Sequence, residues 1–289
     1  MPELPEVETI RRGLHGLLIG KVITGVKFDT PKSFPNAPAD TSSFLIGATI
    51  MDVRRRAKVL LIDLSTEYTL VIHLKMTGQM VFVGEKRFGA GHPNESLIGT
   101  LPDRSTRVSI TFNDGSHLYF NDQRKFGWMR LMPTVEVPNI DFMKRVGPEP
   151  LEADFTAQEF AERFVRRSNT SIKAALLDQS VIAGVGNIYA DESLWGAKIH
   201  PQRLVKTITP AEFTSLYEEL RAVMNLAIAK GGSTDKNYVN AEGKRGSYLD
   251  FARVFRREGQ TCPRHPDVII EKLRVAGRGT HICPVCQQL

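Results

Sequence analysis

Four metal-ligand side chains in two close pairs restrict the end of this chain more than any other feature of its 289 residues. Cys262-Pro263-Arg264-His265 is a C-x2-H pair and Cys283-Pro284-Val285-Cys286 is a C-x2-C pair, with seventeen residues between them. Such spacing lets both side chains of one tight turn face the same ion, and four N and S donors suit tetrahedral zinc. The gap is long enough for a β-hairpin. An odd, clustered set of three cysteines argues against a disulfide framework and for a metal. One structural zinc ion per chain is therefore expected, held by Cys262, His265, Cys283 and Cys286. Completion by His281 or by water is the competing arrangement. His281 is the less favoured, because Thr280–Cys283 should be extended with Cys283 already pointing inward.

Between the two pairs lie Lys272, Arg274 and Arg278, and residues 251–289 carry a net charge of +4. A rigid basic hairpin is suited to reading phosphates. The whole chain is also basic, at +6 with a pI near 9.2, which favours a polyanionic partner. No run of about 18 apolar residues occurs, so no spanning helix and no membrane partner are expected. The first residues are acidic and lack an apolar core, so a cytoplasmic location is expected rather than export.

Hydrophobic periodicity divides the chain. Residues 5–18 read as a helix, with Val7, Ile10, Leu14, Leu17 and Leu18 near a 3.6 period and Gly20 as its stop. Short alternating segments follow, such as Lys21–Val26, Val59–Ile62 and Val108–Phe112, separated by turn signals such as Asn113-Asp114-Gly115. This half reads as a β-sandwich or barrel. Pro133, Pro138, Pro148 and Pro150 mark a linker over 133–154. Helical periods then cover 157–167, 172–178, 187–195 and 210–229, followed by a polar loop over 231–247. The expected organisation is thus a sandwich at 2–132, a linker at 133–154, a helical region with its loop at 155–247, and a metal segment at 248–289.

The N-terminus offers chemistry. Loss of Met1 leaves Pro2 as a secondary amine. An α-amino group titrates near 7.7–8.0, against about 10.4 for lysine, so far more of it is unprotonated at neutral pH. Attack by a secondary amine on a sugar C1′ gives an iminium that is cationic without gaining a proton. That cation acidifies a C2′ proton and so permits β-elimination. Glu3 beside it can protonate the ring oxygen or shuttle protons.

Read in order, the motifs resemble the bacterial formamidopyrimidine-DNA glycosylase (8-oxoguanine DNA glycosylase) family over nearly the whole chain. They are Met1–Thr9, Arg56-Ala57-Lys58, the His73–Gly78 and Asp122–Gly127 stretches, Leu177-Asp178-Gln179, Gly184–Tyr189, and Gly277–Thr280 ahead of Cys283. The resemblance implies an α+β multidomain fold: an N-terminal β-sandwich flanked by helices, a helix-two-turn-helix domain, and a C-terminal zinc-finger β-hairpin. It implies damaged double-stranded DNA as partner to a monomeric enzyme, with the lesion flipped out of the duplex. By position, Pro2 matches the Schiff-base nucleophile and Glu3 the acid assisting base loss. Lys58 matches a proton donor for β-elimination, and Arg278 the zinc-finger phosphate grip linked to δ-elimination. Met76, Arg124 and Phe126 match the side chains that fill the gap left by the flipped base. Asn187 matches a phosphate contact, and His73 is grouped with the DNA contacts. The loop at 231–247 is expected to cover the flipped base.

Two departures stand out. His265 occupies a position where the family usually has a zinc cysteine. Arg104-Ser105-Thr106-Arg107 replaces a family Lys-His-x-His pattern, so Arg104 and Arg107 are expected to keep the positive charge of a lost histidine contact. The reading is a bifunctional glycosylase and abasic-site lyase for oxidised purines. The alternatives are the sister branch that removes oxidised pyrimidines, and a non-catalytic zinc protein that recognises damage.

Overall fold

The computed structural model describes residues 2–233 and 248–289. These form two compact units, one of residues 2–144 with 230–233 and one of 145–229 with 248–289.

The first unit opens with α1 (Leu4–Leu18), whose Val7, Ile10, Leu14 and Leu18 share one buried face. Pro5 lies in its first turn, where a missing N–H costs nothing. A short helical turn, α2 (Pro38–Asp40), follows the first strand. The strands are β1 (Ile23–Phe28), β2 (Ile50–Arg56), β3 (Val59–Leu64), β4 (Tyr68–His73), β5 (Gly78–Val83), β6 (Arg87–Gly91), β7 (Thr106–Phe112), β8 (His117–Asp122) and β9 (Trp128–Pro133). They make two antiparallel sheets, ordered β1-β7-β8-β5-β6 and β2-β3-β4-β9. Inward residues of both sheets and the apolar face of α1 build one core, in which Leu60, Ile62, Leu70 and Ile72 meet Phe82, Ile110, Phe112 and Phe120. This is the expected sandwich.

Strand β3 reads in sequence as an unbroken apolar run because both its faces are covered. Leu60 and Ile62 face the core, whereas Val59 and Leu61 face Val71, Val137, Ile140, Phe142 and Met143. Apart from Val71 of β4, the covering residues lie in a 3-10 segment (Thr134–Asn139), at Ile140 just after it, and in α3 (Asp141–Arg145). The proline-rich stretch after β9 is therefore packed, at least as far as Met143, on the outer face of the four-stranded sheet.

The second unit contains α4 (Ala157–Phe164), α5 (Ile172–Leu177), α6 (Asn187–Gly196) and α7 (Pro210–Ala229). Aromatic rings fasten α4 to α7, with Phe160 and Phe164 5.8 Å from Tyr217 and 5.4 Å from Phe213 respectively. Two hairpins follow: β10 (Thr261–Cys262) with β11 (His265–Ile269), and β12 (Glu271–Val275) with β13 (Arg278–Ile282). The second turns on Ala276 (φ 49°) and Gly277 (φ 73°), the left-handed pair that a two-residue hairpin requires.

Candidate functional site

In the first unit, one end of the sandwich collects the expected side chains, because three turns meet there. The turn from β2 to β3 holds Lys58, the turn from β4 to β5 holds Met76, and the turn from β8 to β9 holds Arg124 and Phe126. Register fixes their common end: Val59 and Trp128 both pair with His73, and Gly78 pairs with Asp122. Helix α1 reaches the same end. Its Glu8 meets Arg55 at 3.2 Å, and Arg55 also donates to the carbonyl of Ala57, next to Lys58. Burial pushes the Glu8 carboxyl up, but Arg11, Arg12 and Arg55 outweigh it and hold it low.

Pro2 and Glu3 are buried at the head of α1. The Glu3 N–H donates to Glu6 Oε2 at 2.7 Å, and Glu6 Oε1 accepts from the Ser233 N–H at 2.8 Å. Glu6 thus ties the N-terminal residues to the start of the 231–247 segment, whose remainder, residues 234–247, lies outside the described residues. The head of α1 also carries the positive end of its helix dipole, with the Glu6 carboxylate against it.

Lys58, in the turn between β2 and β3, is 7 % exposed. Its charge registers at His73. Burial, then the charges of Lys75 and Lys58, lower the His73 pKa to about 3, so this imidazole stays neutral. His73 Nδ1 accepts from the Lys75 N–H at 3.1 Å, and its ring lies 6.1 Å from that of Trp128.

Met76 is half-buried, whereas Arg124 and Phe126 are exposed. The Arg124 guanidinium lies 4.8 Å from the Phe126 ring centroid. Gly78 is obligatory at the foot of the Met76 turn, since a Cβ there would stand 2.3 Å from the Leu74 carbonyl oxygen. Beneath both turns lies Asp122, wholly buried. Its Oδ2 accepts from the N–H groups of Phe126 at 2.8 Å and Gly127 at 2.7 Å. Its Oδ1 accepts from the Arg124 N–H at 3.2 Å and from the Thr77 hydroxyl.

Arg107 departs from expectation. It is 5 % exposed, and its guanidinium donates to the carbonyls of Ser105, Asp122 and Arg104 and to the Asp29 carboxylate. Its charge is thus bonded inward rather than presented at the surface. Arg104 is exposed.

In the second unit, Gly186 caps α6 and Asn187 opens it. Asn187 Nδ2 donates to the Gly279 carbonyl at 2.9 Å, so the helix start is bonded to the strand that begins with exposed Arg278. The acids of α6 bind that strand further. Asp191, wholly buried, accepts from Lys173 Nζ at 2.6 Å and from the His281 N–H at 3.0 Å, with His281 Nδ1 at 3.1 Å. Lys173 also donates to Thr280 Oγ1 at 2.7 Å. Buried Glu192 accepts from the N–H groups of Val254 at 2.9 Å and Phe255 at 2.8 Å.

The donor atoms of Cys262, His265, Cys283 and Cys286 lie within 4.8 Å of one another and can hold one metal ion. Cys262 Sγ and Cys286 Sγ are 3.8 Å apart, and His265 Nδ1 is 3.8 Å from Cys283 Sγ and 3.2 Å from Cys286 Sγ. Tetrahedral bonds of about 2.3 Å to sulfur and 2.0–2.1 Å to nitrogen place neighbouring donors about 3.5–3.8 Å apart. His281 is turned to Asp191 and is not among the four. The cluster packs on Trp195, over whose ring the Arg264 guanidinium lies at 3.9 Å.

Asp122, Asp191, Lys173 and Glu192 escaped the sequence reading. Asp122 stood inside a quoted motif. The charged residues of α5 and α6 gave no signal, because buried charges look like solvated ones until their partners are known.

Comparison with known proteins extends over the full chain. A family model described as the formamidopyrimidine-DNA glycosylase N-terminal domain matches residues 1–129. One described as the H2TH domain of the same glycosylase matches 146–238, and one described as the zinc finger found in FPG and IleRS matches 267–289. The chain is 41 % identical to the formamidopyrimidine-DNA glycosylase of Pelotomaculum thermopropionicum, covering 100 % of both chains. Among solved structures it is similar to a Lactococcus lactis FPG variant bound to DNA containing Fapy-dG, with 34 % identity, a TM-score of 0.87 and 100 % of both chains covered. The wild-type L. lactis FPG bound to DNA containing an oxidised pyrimidine matches at 34 % identity and a TM-score of 0.85, again over 100 % of both chains.

Proposed function

The chain belongs to the formamidopyrimidine-DNA glycosylase family, and from that premise we propose how its own residues carry out the reaction. It is a DNA glycosylase and abasic-site lyase of base-excision repair that acts on damaged DNA as a single chain and carries a zinc finger. After loss of Met1, the Pro2 nitrogen attacks C1′ of the flipped nucleotide. The C1′–N bond to the base breaks, and Glu3 supplies the proton that assists its departure. The nitrogen gives up its proton through Glu3, which returns it to the ring oxygen O4′; the C1′–O4′ bond breaks, the sugar ring opens and the C1′ iminium forms. The iminium draws electrons from C2′, a C2′ proton is lost, and the 3′ C–O bond breaks. A second elimination then breaks the 5′ C–O bond. Lys58 delivers and accepts protons in these steps, and because His73 is neutral the local positive charge that meets DNA phosphate rests on Lys58 and Lys75.

Arg278 and Asn187 hold the backbone phosphate, and Met76, Arg124 and Phe126 fill the vacated stack. Zinc on Cys262, His265, Cys283 and Cys286 keeps the Arg278 hairpin rigid. The catalytic domain comprises residues 2–133 with the packed stretch 134–144, the helix-two-turn-helix domain 145–229 and the zinc finger 248–289. The enzyme works on the DNA of the cytoplasm. Among the described residues no helix is long and apolar enough to cross a membrane.

The observation that carries this reading is the burial of Pro2 and Glu3 at the positive end of α1, with Lys58 buried at the same end of the sandwich. Borohydride should trap an enzyme–DNA adduct that mass spectrometry maps to Pro2; an adduct on Lys58 refutes the assignment. The preferred lesion is an oxidised purine, so excision of 8-oxoguanine opposite cytosine should exceed that of thymine glycol. The reverse order would favour the pyrimidine reading, which the L. lactis complex keeps in view.

A further inference from the structure

We propose that Asp122 is a positioning residue that locks the Met76 turn and the Arg124–Phe126 turn into one preformed wedge. The inference rests on the proposal that these three side chains fill the stack. Its basis is the way one buried carboxylate divides its two oxygens. Oδ2 takes two backbone N–H groups, of Phe126 and Gly127, from one turn. Oδ1 takes the Arg124 N–H from that same turn and the Thr77 hydroxyl from the other. Thr77 closes the link, because its Oγ1 also accepts from the Arg124 N–H at 3.1 Å. Thr77 is 9 % exposed and follows Met76 directly, so a hydroxyl–carboxylate pair ties the Met76 backbone to that of Arg124.

Asp122 is itself held from behind. Its N–H donates to the Ser105 carbonyl at 2.8 Å, and its carbonyl accepts from Arg107 Nε at 2.9 Å. A carboxylate buried this completely is stable only with its acceptor sites filled, and here the filling donors come from the wedge-bearing turns. A simple turn closure would need one oxygen and one turn. Insertion into a base stack gains from side chains that are already ordered, because ordering a mobile loop at that moment subtracts from the energy available to flip the base. An aromatic and a guanidinium that stand exposed, as Phe126 and Arg124 do, need such support from their backbone.

Thr77→Val keeps shape and burial but removes the hydroxyl that joins the turns. Asp122→Asn keeps one acceptor and loses the charge. Each should lower excision of 8-oxoguanine from duplex about tenfold, the value of one charge-assisted hydrogen bond. Cleavage of an abasic site in single-stranded DNA, where no stack is to be filled, should stay within about twofold of wild type. A 2-aminopurine beside the lesion should show a smaller fluorescence rise on binding, which a merely structural defect at equal occupancy would not give. Excision unchanged in Thr77→Val, or equal losses on both substrates with a normal 2-aminopurine signal, overturns the proposal. Phe126→Ala run in parallel separates the two levels. If it loses both activities equally, the wedge reading fails and this inference falls with it. If it is selective while Thr77→Val is not, only the role of Asp122 fails.

Discussion

The two units hold their functional side chains by opposite means. In the first, a broad apolar core lies between two sheets, and the side chains of interest ride on turns at its rim. In the second, the hairpin that carries Arg278 adjoins a small cluster of Trp195, Val254, Ile270 and the three cysteines, and much of its anchorage is by directed polar bonds, from Asn187 to Gly279 and through buried Lys173 and Asp191. Lys173 and Asp191 are both wholly buried, and Glu192 binds three successive N–H groups at 253–255. The contrast shows what each geometry depends on. A rim turn inherits rigidity from the many weak contacts of the core behind it. A short segment with little core needs a few strong, directional ones.

The largest test of this contrast is removal of the metal. In short zinc-binding segments the ion contributes about 10–16 kcal/mol of apparent binding energy, much of it folding energy. Chelation should unfold the hairpins beyond Thr261 and abolish tight DNA binding, while amides of β3 and β4 keep their protection in hydrogen exchange. Loss of protection in β3 would break the comparison. His265→Ala should act in the same direction by lowering zinc content. If that variant keeps one tightly held zinc and normal DNA affinity, the histidine is not a ligand.

Next in size come one charge and one ring. Asp191→Ala strands a buried Lys173 and should destabilise the second unit by about 3–5 kcal/mol. Phe120→Ala opens a cavity in the sandwich and should destabilise the first by about 3–5 kcal/mol. Their repair should differ. Adding Lys173→Met to Asp191→Ala should recover a large part of the loss, because it removes the stranded charge. No polar change should repair the cavity. Unfolding by denaturant reads both, and failure of Lys173→Met to help would mean that the pair acts through shape rather than charge.

A smaller effect is expected from acid. The folded His73 pKa, near 3, lies below its ordinary 6.5, through burial and then the charges of Lys75 and Lys58. The unfolded chain therefore binds the proton that the folded one refuses. Stability from this group is full above about 6.5 and falls as pH drops toward 3. His73→Asn should flatten the decline of the melting temperature between pH 7 and 5, and an unchanged slope would exclude His73 as its source. The smallest effect belongs to Lys272, whose pair with Glu258 leaves side chains 52 % and 42 % exposed. Lys272→Ala should shift stability by less than about 1 kcal/mol, which sharpens the point that only the buried ions of this unit matter.

What the sequence discloses follows the same division. Helices α1 and α7 announce themselves by period, because one face of each is apolar, and the sandwich strands by short apolar or alternating runs between turn signals. The metal ligands announce themselves by spacing. The hidden features are those whose residue type misleads. Arg107 is expected to supply surface charge and is an internal brace, and nothing in the sequence around Lys58 shows that it is buried. Asp191 and Glu192 sit on α6, which is buried nearly all round and so shows no polar face to give them away. The packing of residues 134–143 on β3 was hidden by prolines that read as a linker. In each case the partner lies far along the chain, and no local pattern encodes it.

The placing of the two tryptophans has an optical consequence. Trp195 lies against the metal-ligand cysteines, with the Arg264 guanidinium 3.9 Å and the Arg253 guanidinium 5.0 Å from its ring centroid. Trp128 lies in the other unit, beside His73 and under Arg130 at 5.5 Å. An indole's emission shifts with the field of nearby charges and with its exposure to water. The molecule therefore carries one intrinsic fluorophore per unit, the first tuned to the finger and the second to the rim of the sandwich. With Trp128→Phe, the remaining emission follows metal loss alone. With Trp195→Phe, it follows His73 and the turns around it, so that each half can be watched unfolding without a label.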